Sequence, residues 1–238
     1  VQPLFHRGGA VDSRLGPDGE GLYSSLDGRL DHPCAAAFAR VQANWSTEII
    51  FGRRRFAFPG IDLPTEAEVL LIDVQRMDVN QVNRIKSLLW DRFRFQSDRY
   101  EHLWEFDQYL KLAGPALDCL DAIGAAPPRG KQDKACIVIA HEFMGMPTAL
   151  LAKADTRHSY RAVFYAHEVA TMRRIVENHP AHDIAFYNAM SRAVADEQYV
   201  EDVFGDQHPY FKHPLIARAR ELDNVLAVGD QVIKELRF

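Results

Sequence analysis

Two stretches of the chain end alike. Residues 136–143 read CIVIAHEF, and residues 162–169 read AVFYAHEV. Each is a short apolar run that reaches Ala-His-Glu, with His141 and His167 26 positions apart. Histidine and glutamate are the side chains of acid–base chemistry and of metal ligation. A pair of such endings raises the question of whether they meet.

The zinc motif HExxH needs a second histidine four residues on, on the same helix face. His141 is followed by Glu-Phe-Met-Gly and His167 by Glu-Val-Ala-Thr, so neither fits. ENHPAHD supplies His179, His182 and Asp183, but Pro180 interrupts the helix that would align them. No metal site is expected. GxSxG, GxxxxGK[ST] and GxGxxG are all absent. That weighs against a serine hydrolase, a P-loop enzyme and an ordinary dehydrogenase.

The elements that must position the two pairs are legible from residue 47 onward. TEIIFGR and EAEVLLIDV alternate as strands do, separated by the turn-forming FPGIDLP. NQVNRIKSLLWDRF and residues 100–123 carry apolar residues at helical spacing. Then a strand at 135–140 precedes a helix near 146–154, and a strand at 161–166 precedes a helix near 168–178. After a longer insertion, a helix at 214–222 leads to a strand at 224–228 and a last helix. Apolar strands alternating with helices indicate α/β architecture, a Rossmann-like parallel sheet with helices on both faces.

Consecutive β-α-β units lay their strands parallel, so both His-Glu pairs fall at the carboxyl edge of that sheet. Ligands of open α/β sheets bind in the crevice outside this edge. His141, Glu142, His167 and Glu168 are therefore expected to crowd one rim. Residues 1–45 read as a loop-rich N-terminal part with a first strand at VQPLF and a helix within 31–45, capped by Asp31 with Pro33 in its first turn. Residues 46–238 read as the Rossmann-like domain.

The composition suits a globular protein, with 47% hydrophobic and 26% charged residues. A net charge of −5 argues against a nucleic-acid backbone partner. No apolar run approaches the roughly 18 residues of a membrane helix, so no membrane partner is expected. Three separated cysteines without CxxC point to reduced thiols and a cytoplasmic location. Cys136, inside an apolar strand, is expected in the core.

AHEF before a helix, then VFYAHEVATMR, then Phe186-Tyr187-Asn188, resembles the N-terminal domain of glycogen and starch synthases, with the animal and fungal glycogen synthases closest. That family has a strand ending in His-Glu-Trp, then a strand ending in His-Ala-Thr-Leu-Leu-Gly-Arg, then Asp-Phe-Tyr-Asn. IIFGRRRFAFPG with EVLLIDV, and LIARARELDNVLAVGDQVIKEL, are similar to earlier and later parts of the same domain. The likeness spans roughly residues 46–238.

The resemblance implies the N-terminal half of a GT-B fold, two Rossmann-like domains facing across a cleft. It implies a glycosyltransferase that moves glucose from a nucleotide-glucose donor, UDP- or ADP-glucose, to the end of an α-1,4-glucan acceptor. Configuration is retained, and no metal or cofactor is needed. It places catalysis at His167 and substrate contacts at His141, Glu142, Glu168, Arg173 and Asn188. The C-terminal donor-binding domain, the other implied partner, lies outside this chain, which alone is expected to be inactive. The chain opens on Val and reads as a piece of a longer protein.

Departures from the family pattern are specific. Glu168 stands where a small residue or Asn is usual, Phe143 stands for Trp, and HRGGAVD lacks the Lys of a glycine-rich loop. A negative charge at Glu168 would repel a diphosphate unless paired. Two alternatives follow: a related transferase using another sugar, or a non-catalytic GT-B-like module that binds glucan or a protein partner.

Overall fold

A computed structural model describes residues 2–5, 15–16, 19–56, 65–130, 134–178 and 182–238. The FPGIDLP turn and the HRGGAVD stretch lie outside them. Four strands form a mixed sheet in the order β1 (Gln2–Phe5), β4 (Thr65–Asp73), β3 (Glu48–Phe56), β2 (Gly19–Ser24). β1 runs parallel to β4, while β4, β3 and β2 are antiparallel neighbours. Strands β1 and β2, both within the first 45 residues, thus belong to the same sheet as β3 and β4 after residue 46.

A second sheet holds three parallel strands in the order β5 (Cys136–His141), β6 (Tyr160–Ala166), β7 (Asn224–Ala227). The chain is α/β, with a parallel sheet flanked by helices, as expected.

The helices are α1 (Ala35–Trp45), α2 (Val79–Phe93), α3 (Trp104–Ala122), α4 (Glu142–Ala154), α5 (Ala170–Asn178), α6 (His182–Ala195), α7 (Val200–Phe204), α8 (Lys212–Ala217) and α9 (Asp230–Arg237). α1 starts after Cys34 rather than at Asp31. His32 Nδ1 accepts the Cys34 N–H at 3.1 Å, and a tight turn delays the helix, leaving Pro33 ahead of it. α2 is capped by Asp78, whose carboxylate accepts the N–H groups of Asn80 and Gln81.

α4 begins at Glu142, immediately after β5, and not near residue 146. Gly145 and Pro147 read as breakers, yet each serves the packing. A Cβ on Gly145 would sit 2.6 Å from the Ala140 Cα, so only glycine lets α4 fold back this closely on β5. Pro147, the sixth residue of α4, removes one intrahelical hydrogen bond, and its ring is buried on the core side of the helix.

One core joins the two sheets. Tyr23, Ile49, Phe51, Leu70 and Ile72 from the first, with Phe38 of α1, share it with Ala140, Ala162, Phe164 and Ala166 from the second, and α3 and α4 fill the space between. Trp45 pins α1 to α3: its indole N–H donates to Asp118 at 2.7 Å, and its ring lies where a Cβ on Gly114 would go. A smaller core under α5, α6 and α9 contains Met172, Phe186, Met190 and Phe238.

Coverage of the parallel sheet is uneven. Strand order β5-β6-β7 advances in one direction, so right-handed crossovers put both connections on one face. That face buries Ala140, Ala162, Phe164 and Ala166. The opposite face exposes Ile137, Ile139 and Leu226. Cys136, at the start of β5 on the covered face, is half-buried at the edge of the core, and all three cysteines are free. Among the described residues no helix is long and apolar enough to cross a membrane.

Candidate functional site

The register of β5 on β6 sets His141 opposite Tyr165. His167 follows Tyr165 by two positions, and side chains two apart on an extended strand share a face. The two histidines therefore come together at the carboxyl rim. His141 Nδ1 lies 3.0 Å from His167 Nε2, and the rings stack with centroids 5.3 Å apart. Tyr165 completes the group, its ring centroid 4.6 Å from His167 and 5.4 Å from His141. Both histidines are exposed. A hydrogen bond between two neutral imidazoles uses one proton, so each ring keeps its other nitrogen for a further partner.

The two glutamates do different work. Glu142 is buried, with 7% of its surface exposed. Its Oε1 accepts the main-chain N–H of Glu168 at 2.9 Å and, in a short contact, that of His167. Expected as a substrate contact, Glu142 is a clamp in the fold: it fixes the turn that leaves β6. Its Oε2 is closed to solvent and has no hydrogen-bond partner. An unpaired buried oxygen costs about 1–3 kcal/mol, and the two bonds to Oε1 offset it. Glu142 also holds φ at 57°, the left-handed region that L-residues avoid. Strain of this kind gathers at functional sites.

Glu168 is half-exposed and paired. Arg173, on the next helix, donates to it at 2.6 Å and to Glu177 at 3.1 Å. Hydrogen bonds donated to Glu168 and Glu177 hold the Arg173 guanidinium above its ordinary pKa. The charge that would repel an anionic ligand is thus partly neutralised within the site. Asn188 lies exposed on α6, and among the described residues no hydrogen bond or ion pair joins it to His141, Glu142 or His167.

Sequence reasoning missed Tyr165 and Lys212. Tyr165 was within reach, since it shares the period-two face of His167. Lys212 comes from distant α8; its ammonium lies 4.2 Å from the centroid of the Phe143 ring and pairs with Glu105 at 3.1 Å. Phe143 itself meets Tyr109 and Phe211 edge-on.

Behind the rim runs a second polar chain. Thr171 Oγ1, one turn after His167, lies 3.2 Å from His213 Nδ1, and His213 Nε2 lies 2.7 Å from Glu201 Oε1. Hydroxyl, imidazole and carboxylate in line resemble a nucleophilic triad, but Thr171 is 1% exposed and meets no substrate. Burial lowers the His213 pKa from its ordinary value, and Glu201 opposes it. His179, Pro180 and the side chains of His182 and Asp183 lie outside the described residues.

No family model, curated protein or solved structure matches the chain. The functional reading therefore stands on the residues at the rim and their arrangement.

Proposed function

We propose that the rim of the parallel sheet is the sugar-binding and transfer site of a retaining glycosyltransferase of the glycogen or starch synthase type. The donor would be a nucleotide-glucose and the acceptor an α-1,4-glucan end. The observation that carries this reading is the 3.0 Å pairing of His141 with His167 beside Tyr165 at the carboxyl rim. Imidazoles and a phenol side by side offer donors and acceptors to sugar hydroxyls, and an aromatic ring offers a surface to the sugar's C–H face.

In this reading His167 holds a donor-sugar hydroxyl and eases charge build-up at the reacting centre. Glu142 is a positioning residue that fixes the His167 backbone. His141 sets the His167 tautomer. Arg173 offsets Glu168 and leaves the rim tolerant of a diphosphate.

The openness of the rim favours a second reading. Both histidines are exposed, as suits a module that binds glucan without transferring glucose. Calorimetric titration of the chain with UDP-glucose, ADP-glucose and malto-oligosaccharides, alongside a glucosyl-transfer assay of the complete enzyme with its donor-binding domain, separates the two. Binding with transfer, both lost in His167→Ala, supports the first reading. Glucan binding without transfer supports the second. No saccharide binding rejects both.

A further inference from the structure

We propose that Glu201, His208 and His213 form a binding site for a divalent transition-metal ion of the zinc class. The three residues come from the first turn of α7, the following loop and α8, and their donor atoms lie within 4.8 Å of one another. Two imidazoles and a carboxylate are a ligand set that zinc accepts, with a fourth position for water. Hard cations such as calcium and magnesium prefer oxygen alone.

The surroundings of both histidines fit metal ligation. A ligating imidazole usually gives its other ring N–H to an oxygen, which fixes the tautomer and the ring direction. His208 Nδ1 lies 2.9 Å from Asp206 Oδ1, and His213 Nδ1 lies 3.2 Å from Thr171 Oγ1. In the metal-bound form each Nε2 would present its lone pair to the ion; without metal, His213 Nε2 shares a proton with Glu201 Oε1 at 2.7 Å. The His208 segment is itself held in place: Tyr100 O–H donates to the His208 carbonyl at 2.7 Å, and Asp206 accepts the His208 main-chain N–H.

The distances ask the outermost donors to close by up to about 1.5 Å and the closest pair to part slightly. With metal–ligand bonds near 2.0–2.1 Å, tetrahedral donors stand about 3.3 Å apart. His213 Nε2 and Glu201 Oε1, at 2.7 Å, need only part by about half an ångström. A proton shared by that pair gives way to the ion. Glu201 and His208 are partly or fully exposed, so the ion has an entry path.

The bound ion would fasten α7 and α8 to one another and, through His213 and Thr171, to α5. That helix begins three residues after His167. The site is independent of the sugar-transfer reading and of the rim histidines.

The test is calorimetric titration of the metal-stripped chain with Zn²⁺ alone, with Co²⁺ absorption as a second readout. One ion per chain is expected, with a raised thermal midpoint and a Co²⁺ spectrum of nitrogen and oxygen ligation. His208→Ala, at an exposed position, should keep the native circular dichroism and weaken Zn²⁺ at least about a hundredfold. Asp206→Ala should weaken it about ten- to a hundredfold. The His141→Ala/His167→Ala double variant should bind Zn²⁺ as the wild type does. The proposal is overturned by no Zn²⁺ binding, by undiminished binding in a folded His208→Ala/Glu201→Gln variant, or by loss of the ion in the rim double variant alone.

Discussion

Glu142 holds His167 by its backbone: the buried carboxylate that follows the first Ala-His accepts the main-chain N–H of the second histidine. One copy of the repeated ending thus ties down the other. Removing the carboxylate leaves two N–H groups without their acceptor. Glu142→Ala should cost about 2–4 kcal/mol, and Glu142→Gln, which keeps one acceptor oxygen, about 1 kcal/mol. Urea unfolding of both variants checks this. An alanine variant within about 0.5 kcal/mol of wild type would show that the clamp holds nothing.

Gly145 sits where a methyl would strike the Ala140 backbone. Alanine in a helix is favoured over glycine by about 1 kcal/mol, whereas forcing an atom into a packed contact costs about 1–3 kcal/mol. The backbone at Ala140 belongs to a strand paired with β6 and cannot move freely. Gly145→Ala should therefore destabilise by about 1–2 kcal/mol in thermal or urea unfolding. Net stabilisation would mean that α4 slides away from β5 without cost.

Asp155 supplies a pH dependence. Burial pushes its pKa up, but the main-chain N–H groups of His158 and Arg157 and their side chains more than offset that, so it lies below the ordinary value. A depressed folded pKa means the unfolded chain binds the proton more readily. The contribution is therefore full above the unfolded value near pH 4 and is lost as pH falls through the folded value. The stability gap between wild type and Asp155→Asn should be constant from pH 7 to about 5 and shrink below that. A gap unchanged down to pH 3 would remove Asp155 from the account.

The Glu168–Arg173 pair is exposed, and such pairs contribute little to stability. Its worth on the proposed function lies in charge balance rather than stability. Arg173→Ala should leave the unfolding midpoint nearly unchanged yet weaken binding of a nucleotide-sugar, and adding Glu168→Gln should restore it. Equal affinity in all three proteins would show that no diphosphate lies near Glu168.

The parallel sheet was legible because β5, β6 and β7 are apolar runs separated by helical spacing, and parallel pairing followed from that alternation. The meeting of His141 and His167 was legible for the same reason. What escaped was set by tertiary contacts. Nothing local marks Glu142 as buried rather than exposed, since its partners are backbone groups 25 and 26 residues away. The start of α4 was obscured by Gly145 and Pro147, breakers by propensity that this packing requires. Asn188 is expected at the site on a three-residue likeness to the family, a likeness that says nothing of its contacts. Glu201, His208 and His213 follow no metal-binding spacing, because a loop between two short helices brings them together.

The measurement that bears most directly on the central claim is saccharide binding by wild type and His167→Ala, followed by calorimetry at neutral pH with circular dichroism as the folding control. The account predicts that nucleotide-glucose or malto-oligosaccharide binds the wild type. It predicts at least tenfold weaker binding, about 1.4 kcal/mol, in a His167→Ala protein with an unchanged spectrum. Equal binding by the two proteins, or none by the wild type, would contradict it.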